Sequence, residues 1–214
     1  MQYLVTMTTQ VPAGTTDDAV AEMRLREAER SLELAAQEHL LRLWRPPLAP
    51  GEWRTLGLFA AADEAELEHV LASMPLRVWR SDAVVPLGPH PNDPPATDPL
   101  GEHEFLTTFT VTFPADADPD EIERARAGEA DRTRELAEQG HLVRHWMLPS
   151  EPGSWRALGL WRADDADQLQ AMLDSLPLDR WMRTETTPLT EHPNDPYSAL
   201  AATVPRTTPR TSRM

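Results

Sequence analysis

The chain has 214 residues and a mass of 24.0 kDa, room for one large domain or two of about 100 residues each. Aspartate and glutamate outnumber the basic residues 35 to 20, a formal charge of −15 that repels phosphate backbones and argues against a nucleic-acid partner. With 40% hydrophobic residues a packed core is attainable, and no apolar run approaches the roughly 20 residues of a membrane span.

Met1-Gln2-Tyr3-Leu4 lacks the basic start and apolar stretch of a secretory leader, so a soluble, cytoplasmic protein is expected. The chain contains no cysteine and no lysine. Thiol nucleophiles, disulfides, thiolate metal sites, Schiff bases and a phosphate-binding Walker lysine are therefore excluded. Any chemistry rests on carboxylates, imidazoles, guanidinium groups, hydroxyls and indoles.

The first element has alternating character, with Tyr3, Val5, Met7 and Val11 on one face, and reads as a half-buried strand closed by Pro12. Thr16-Asp17-Asp18 then starts a helix that runs to about Gln37. A second strand spans Leu40–Arg45, a turn at residues 46–51 follows, and residues 53–59 form a third strand. Leu67, Val70, Leu71 and Met74 recur at helical spacing in a second helix over residues 63–74. Pro75 ends that helix, and residues 78–87 form the last strand.

The whole series then repeats at an offset of 102 positions. Trp44, Trp53 and Trp79 return as Trp146, Trp155 and Trp181, and His90-Pro91-Asn92-Asp93-Pro94 returns as His192-Pro193-Asn194-Asp195-Pro196. Roughly 40 positions between Tyr3 and Pro94 are identical to their counterparts without a gap. Asp118-Pro119-Asp120-Glu121 gives the second copy a stronger helix start than the first. Repeat 1 covers residues 1–94, a linker residues 95–102 and repeat 2 residues 103–196. Residues 197–214, rich in threonine, proline and arginine, are expected to be a disordered tail.

Each repeat thus has the order βαββαβ, the ferredoxin-like split unit of an α+β fold. Two helices cover one sheet face and leave the other bare. Two linked copies are expected to pack their bare sheets together as an intrachain pseudo-dimer of the dimeric αβ-barrel type.

Glu27 is the most informative position. Val20, Met23, Glu27, Ser31 and Leu34 step along one helix face, so a carboxylate interrupts an apolar stripe. Glu129 does the same in the copy. Burial raises a carboxyl pKa toward the range of a general base or acid. The plainer alternatives are a structural ion pair with Arg42 and Arg144 or with Arg24 and Arg126, or a solvated stripe edge.

Trp44, Trp53, Trp146 and Trp155 read either as the lining of an aromatic cavity or as core filling. Arg45 at a strand end suits an anionic group, but its counterpart is Met147. His90 and His192 are candidate proton carriers or ligand contacts, although Asn-Asp between prolines also makes an ordinary turn. His39 and His141 are expected to make local bonds. The histidine spacing gives no support for a metal site.

Each half resembles the muconolactone delta-isomerase family. The resemblance is carried by Val5-Thr6-Met7-Thr8, Pro12, Glu27, Leu43-Trp44-Arg45, Gly51, Phe59, Met74-Pro75-Leu76, Leu87 and His90-Pro91. It implies a cofactor-independent isomerase that shifts a ring double bond in a butenolide. Glu27 and Glu129 would carry the proton, and Arg45 would hold an anion. The small-molecule partner implied is a lactone or related anion, with further homo-oligomerisation left open. Trp53 stands where the family has tyrosine, and Met147 replaces its arginine in repeat 2. Two other classes stay open: a cofactor-free oxygenase or cyclase acting on a polycyclic aromatic, and a non-catalytic ligand-binding protein.

Overall fold

A computed structural model describes residues 1–95, 101–151 and 154–197. The tail, from residue 198 on, and most of the linker lie outside the described residues. In repeat 1, strand β1 (Gln2–Thr9) is followed by helix α1 (Asp17–Ala36), β2 (Leu40–Arg45), β3 (Arg54–Ala60), helix α2 (Glu64–Ala72) and β4 (Arg80–Pro89). Repeat 2 repeats the series as β5 (His103–Thr112), α3 (Pro119–Glu138), β6 (Leu142–Met147), β7 (Ser154–Ala163), α4 (Ala166–Asp174) and β8 (Met182–Glu191).

The helix starts follow from their caps. Thr16 accepts a hydrogen bond from the Ala19 N–H, and Asp118 accepts one from the Asp120 N–H. Both first helices end in a left-handed residue, Gly140 in the copy and Glu38 in repeat 1 at φ 60°. Glycine takes that conformation freely, whereas Glu38 must be held there by the turn into β2.

Each repeat forms a four-stranded antiparallel sheet with its first strand at the centre, β1 between β3 and β4, and β5 between β7 and β8. The two sheets do more than pack. Trp44 and Arg45 of β2 pair with Glu191 and Thr190 of β8, and Gly88 and Pro89 of β4 pair with Met147 and Trp146 of β6. These two seams close all eight strands into one barrel. Closure removes the open edges that would otherwise template pairing with other chains.

The barrel interior holds Trp44, Leu58, Leu87, Leu106, Trp146, Leu160 and Leu189. Two further cores lie between the sheets and the helices. One gathers Tyr3, Val5, Leu34, Phe59 and Leu71, and the other gathers Phe105, Phe109, Leu136, Trp161 and Leu173. Alternation along β1 and β5 produces this division, since successive side chains point to opposite faces.

One element differs from the sequence expectation. Residues 75–79 form a 3-10 helix, so the last strand begins at Arg80 rather than near Val78. Pro75 stands at the first position of that helix, where its fixed φ and missing N–H suit a helical start. Among the described residues, no helix is long and apolar enough to cross a membrane.

Candidate active site

Glu27 sits on the buried face of α1, 7% exposed, and is held from two directions. The backbone N–H of Leu76 donates to its Oε2 at 2.8 Å, and the Arg80 guanidinium donates to its Oε1 at 2.9 Å. Arg80 also donates to Asp82 at 2.9 Å, so one guanidinium lies between two carboxylates. Burial pushes the Glu27 carboxyl above its ordinary range, while the Leu76 N–H and Arg80 pull it part of the way back.

The partner of Glu27 is therefore neither of the arginines that spacing suggested. Arg42 is taken up by Glu104 at 2.8 Å and Asp195 at 3.0 Å. Arg24 lies over the Trp53 ring, 4.5 Å from its centroid. Arg80 went unnoticed because it is not duplicated. Its counterpart is Met182, and a comparison that scores identities between copies passes over it.

Glu27 lines a cavity of about 750 Å³ between α1 and the outer face of the sheet. Met7, Ser31, Leu43 and Met74 line it beside Glu27 and Arg80, and Arg24, Arg45, Trp53 and Arg54 add cations and an indole. The other repeat contributes His192, Pro193 and Asn194 to the wall. Burial and the nearby Arg45 lower the His192 pKa to about 4, so the imidazole is neutral near pH 7. Its Nδ1 accepts from the Asn194 N–H at 3.1 Å.

The His-Pro-Asn-Asp-Pro segment is more than a turn, because each copy crosses to the opposite repeat. Asp195, 2% exposed, accepts from Arg42 and from the Leu43 N–H at 3.0 Å. Asp93 accepts from Arg144 and from the His145 N–H at 2.7 Å. These clamps pin each His-Pro beside the second strand of the other repeat.

Of the sequence-derived candidates, the structure brings Glu27, Arg45, Trp53 and His192 together around one cavity. Trp44 and Trp146 are not there. Along β2, Leu43 and Arg45 face the helices, so Trp44 between them points into the barrel. The Trp44 indole N–H donates to Glu104 at 2.7 Å, and that of Trp146 donates to Gln2 at 2.7 Å. These two tryptophans fill the core and do not line the pocket. His39 and His141, expected to bond locally, instead lie 3.0 Å from strand carbonyls 21 residues on, those of Ala60 and Arg162.

Glu129, Trp155 and His90 gather in repeat 2, where the equivalent cavity measures only about 10 Å³. Glu129 accepts from the Leu178 N–H at 3.1 Å, but Met182 stands where repeat 1 has Arg80. His145 replaces Leu43 and stacks on His90 with ring centroids 3.6 Å apart. Trp161 replaces Phe59 and lies so close over Gly159 that a β-carbon there would collide with the indole nitrogen. Among the described residues, no three histidine or acidic side chains converge as metal ligands.

The muconolactone delta-isomerase family model matches residues 1–93 and again 103–195. The chain belongs to that family, as a tandem duplication of its single domain. A muconolactone delta-isomerase from Rhodococcus opacus is 30% identical over 91 residues, 42% of this chain and 95% of that protein.

Solved structures show the same barrel at low identity. A heme-binding protein from Thermus thermophilus superposes with a TM-score of 0.54 at 12% identity, covering 94% of each chain. Chlorite dismutase from Candidatus Nitrospira defluvii gives 0.54 at 7% identity, covering 88% of this chain and 91% of that one. At such identities these two establish the fold alone.

Proposed function

We propose that the chain is a cofactor-independent intramolecular isomerase that moves a ring double bond in an anionic butenolide of the muconolactone type, with Glu27 as the proton carrier. Family membership supports isomerase chemistry, and one observation carries the assignment of the residue. Glu27 is a buried carboxylate at the wall of an open cavity of about 750 Å³, with one lone pair on each oxygen engaged by a fixed donor.

Glu27 takes a proton from the ring carbon next to the double bond, and the electron pair delocalises into a dienolate. The negative charge falls on the lactone carbonyl oxygen, where guanidinium and imidazole N–H groups stabilise it. The same carboxyl returns the proton to the far carbon of the dienolate, so no atom is gained or lost. Arg45 supplies the charge for the substrate carboxylate. His192, neutral near pH 7, donates a hydrogen bond without competing for the anion. Trp53 offers a flat apolar wall to the ring.

The cavity lies within the range of about 300–1,000 Å³ that takes drug-sized ligands, so it has room for a lactone bulkier than muconolactone. The test is solvent-deuterium incorporation into muconolactone and an aryl-substituted butenolide carboxylate, followed by NMR. Wild type is expected to exchange and isomerise at least one of them, and Glu27→Gln is expected to lose about 100-fold or more. The Glu27–Arg80 ion pair also suits a non-catalytic binding protein. Absence of exchange in folded wild type, with Glu27→Gln changing stability alone, favours that reading and overturns the isomerase.

A further inference from the structure

The two repeats retain the same carboxylate on the same helix face, yet what surrounds it differs systematically. Met7, Leu43 and Arg80 line the cavity with Glu27, and Phe109, His145 and Met182 hold the matching positions beside Glu129, where Trp161, the counterpart of the core residue Phe59, also lines the space. Two of the replacements, Met7 by Phe109 and Phe59 by Trp161, put in a larger ring, a third exchanges Leu43 for the His145 imidazole stacked on His90, and the fourth removes the guanidinium. Arg45 also becomes Met147, whose sulfur now receives the Trp155 indole N–H at 3.0 Å.

The contributed arms differ as well. His192 stands at the wall of an open cavity, whereas His90 is 6% exposed and packed face to face on His145. The volumes follow from these changes, about 750 Å³ against about 10 Å³. A space of about 10 Å³ is too small for any organic substrate and is at the limit for one water.

We infer that the chain carries one working centre, built on Glu27, and that repeat 2 is a non-catalytic partner that completes this centre with His192-Pro193-Asn194 while its own cavity is shut by its own side chains. The fusion permits the specialisation. In an assembly of identical subunits, every donor of a His-Pro arm must also keep a working site of its own. In a tandem chain the two duties separate. Repeat 1 keeps the cations and the room, and repeat 2 keeps the arm and the clamp and packs the vacated space with Trp161 and His145. The catalytic part of this inference rests on the proposed role of Glu27.

Two measurements decide it. In the first, the indole N–H signals of the full chain are followed by NMR while phenylacetate, an aromatic carboxylate of suitable size, is added. The Trp53 signal is expected to shift saturably and the Trp155 signal to stay in place. A matching shift at Trp155, or no shift at either indole, overturns the single open centre whether or not the protein is an isomerase.

In the second, isomerisation is compared for Glu129→Gln, Glu27→Gln, His192→Ala and His90→Ala. Glu129→Gln and His90→Ala are expected within twofold of wild type, and His192→Ala is expected to raise KM about tenfold with a smaller change in kcat. Loss of half or more of the activity in Glu129→Gln overturns the inference. Absence of turnover in wild type overturns the proposed reaction instead and leaves the NMR titration to decide between one centre and two.

Discussion

The Glu27 carboxylate and the Arg80 guanidinium meet at 2.9 Å with side chains only 9% and 2% exposed, and the contact joins the middle of α1 to the first residue of β4. A buried charge that loses its partner is left uncompensated, typically at about 3–5 kcal/mol. Arg80→Met recreates the arrangement of repeat 2. It is expected to lower stability by a similar amount near pH 7, measured by urea unfolding. Arg80 draws the Glu27 pKa down, so its removal lets burial raise that pKa further. The acid limb of the pH–rate profile is therefore expected to move to higher pH. A limb that stays in place separates Glu27 from the titration that governs turnover.

The stacked histidines make stability depend on pH in a calculable direction. Burial, joined for His145 by the neighbouring His90, lowers the pKa values of His90 and His145 to about 4 and about 3. Below the unfolded value near 6.5, the unfolded chain takes up protons that the folded chain refuses. Stability is thus fully present above pH 6.5 and lost as pH falls toward 4, by about 1.4 kcal/mol per pH unit for each such imidazole. The raised carboxyls of Glu27 and Glu129 act oppositely and offset part of the loss. His145→Leu, the residue found at position 43, is expected to flatten the slope of unfolding free energy between pH 6 and pH 4 by about one proton. An unchanged slope would mean that His145 is not held neutral by the fold.

The two aspartate clamps share a sequence and differ in surroundings. The Asp195 side chain is fully buried against Arg42, which is 13% exposed, whereas Asp93 and Arg144 are 28% and 32% exposed. Water screens the second pair and not the first. Asp195→Asn is therefore expected to cost about 3–5 kcal/mol and Asp93→Asn clearly less. Hydrogen exchange supplies the local readout. The Leu43 amide, which donates to Asp195, is expected to lose protection in Asp195→Asn and keep it in Asp93→Asn.

Periodicity and duplication made most of the fold legible. Period-two alternation placed β1 and β5, Pro119 after a capping aspartate placed the start of α3, and the constant offset of 102 defined two equal units. Barrel closure follows less directly, because β2 pairs with β8 over Trp44 and Arg45 and β4 pairs with β6 over Gly88 and Pro89. Seams of that length leave no periodic signal.

The site was half visible. Glu27 stood out as a charge in an apolar stripe. Arg80 did not, because it reaches Glu27 across 53 residues, past a 3-10 helix that the pattern did not show. The role of His192 was hidden for a related reason, since turn chemistry is local and does not report that a segment crosses to another unit. The informative signal lay in the mismatches between the copies: Arg80 with Met182, Leu43 with His145, and Phe59 with Trp161.

Cavity size is expected to set the substrate preference. Ala28 lines the open cavity one residue after Glu27 and contributes only a single methyl to its wall. If the substrate is a bulky butenolide, wild type is expected to favour an aryl-substituted lactone acid over muconolactone by about tenfold or more in kcat/KM. An extra apolar contact of this kind is typically worth about 1–3 kcal/mol, or 10–200-fold. Ala28→Leu takes away that room without touching Glu27, Arg45 or His192. It is expected to lower kcat/KM for the aryl substrate about tenfold and to leave muconolactone nearly unchanged, reversing the preference. Equal losses on both substrates would show that Ala28 shapes the position of Glu27 rather than the space for substrate.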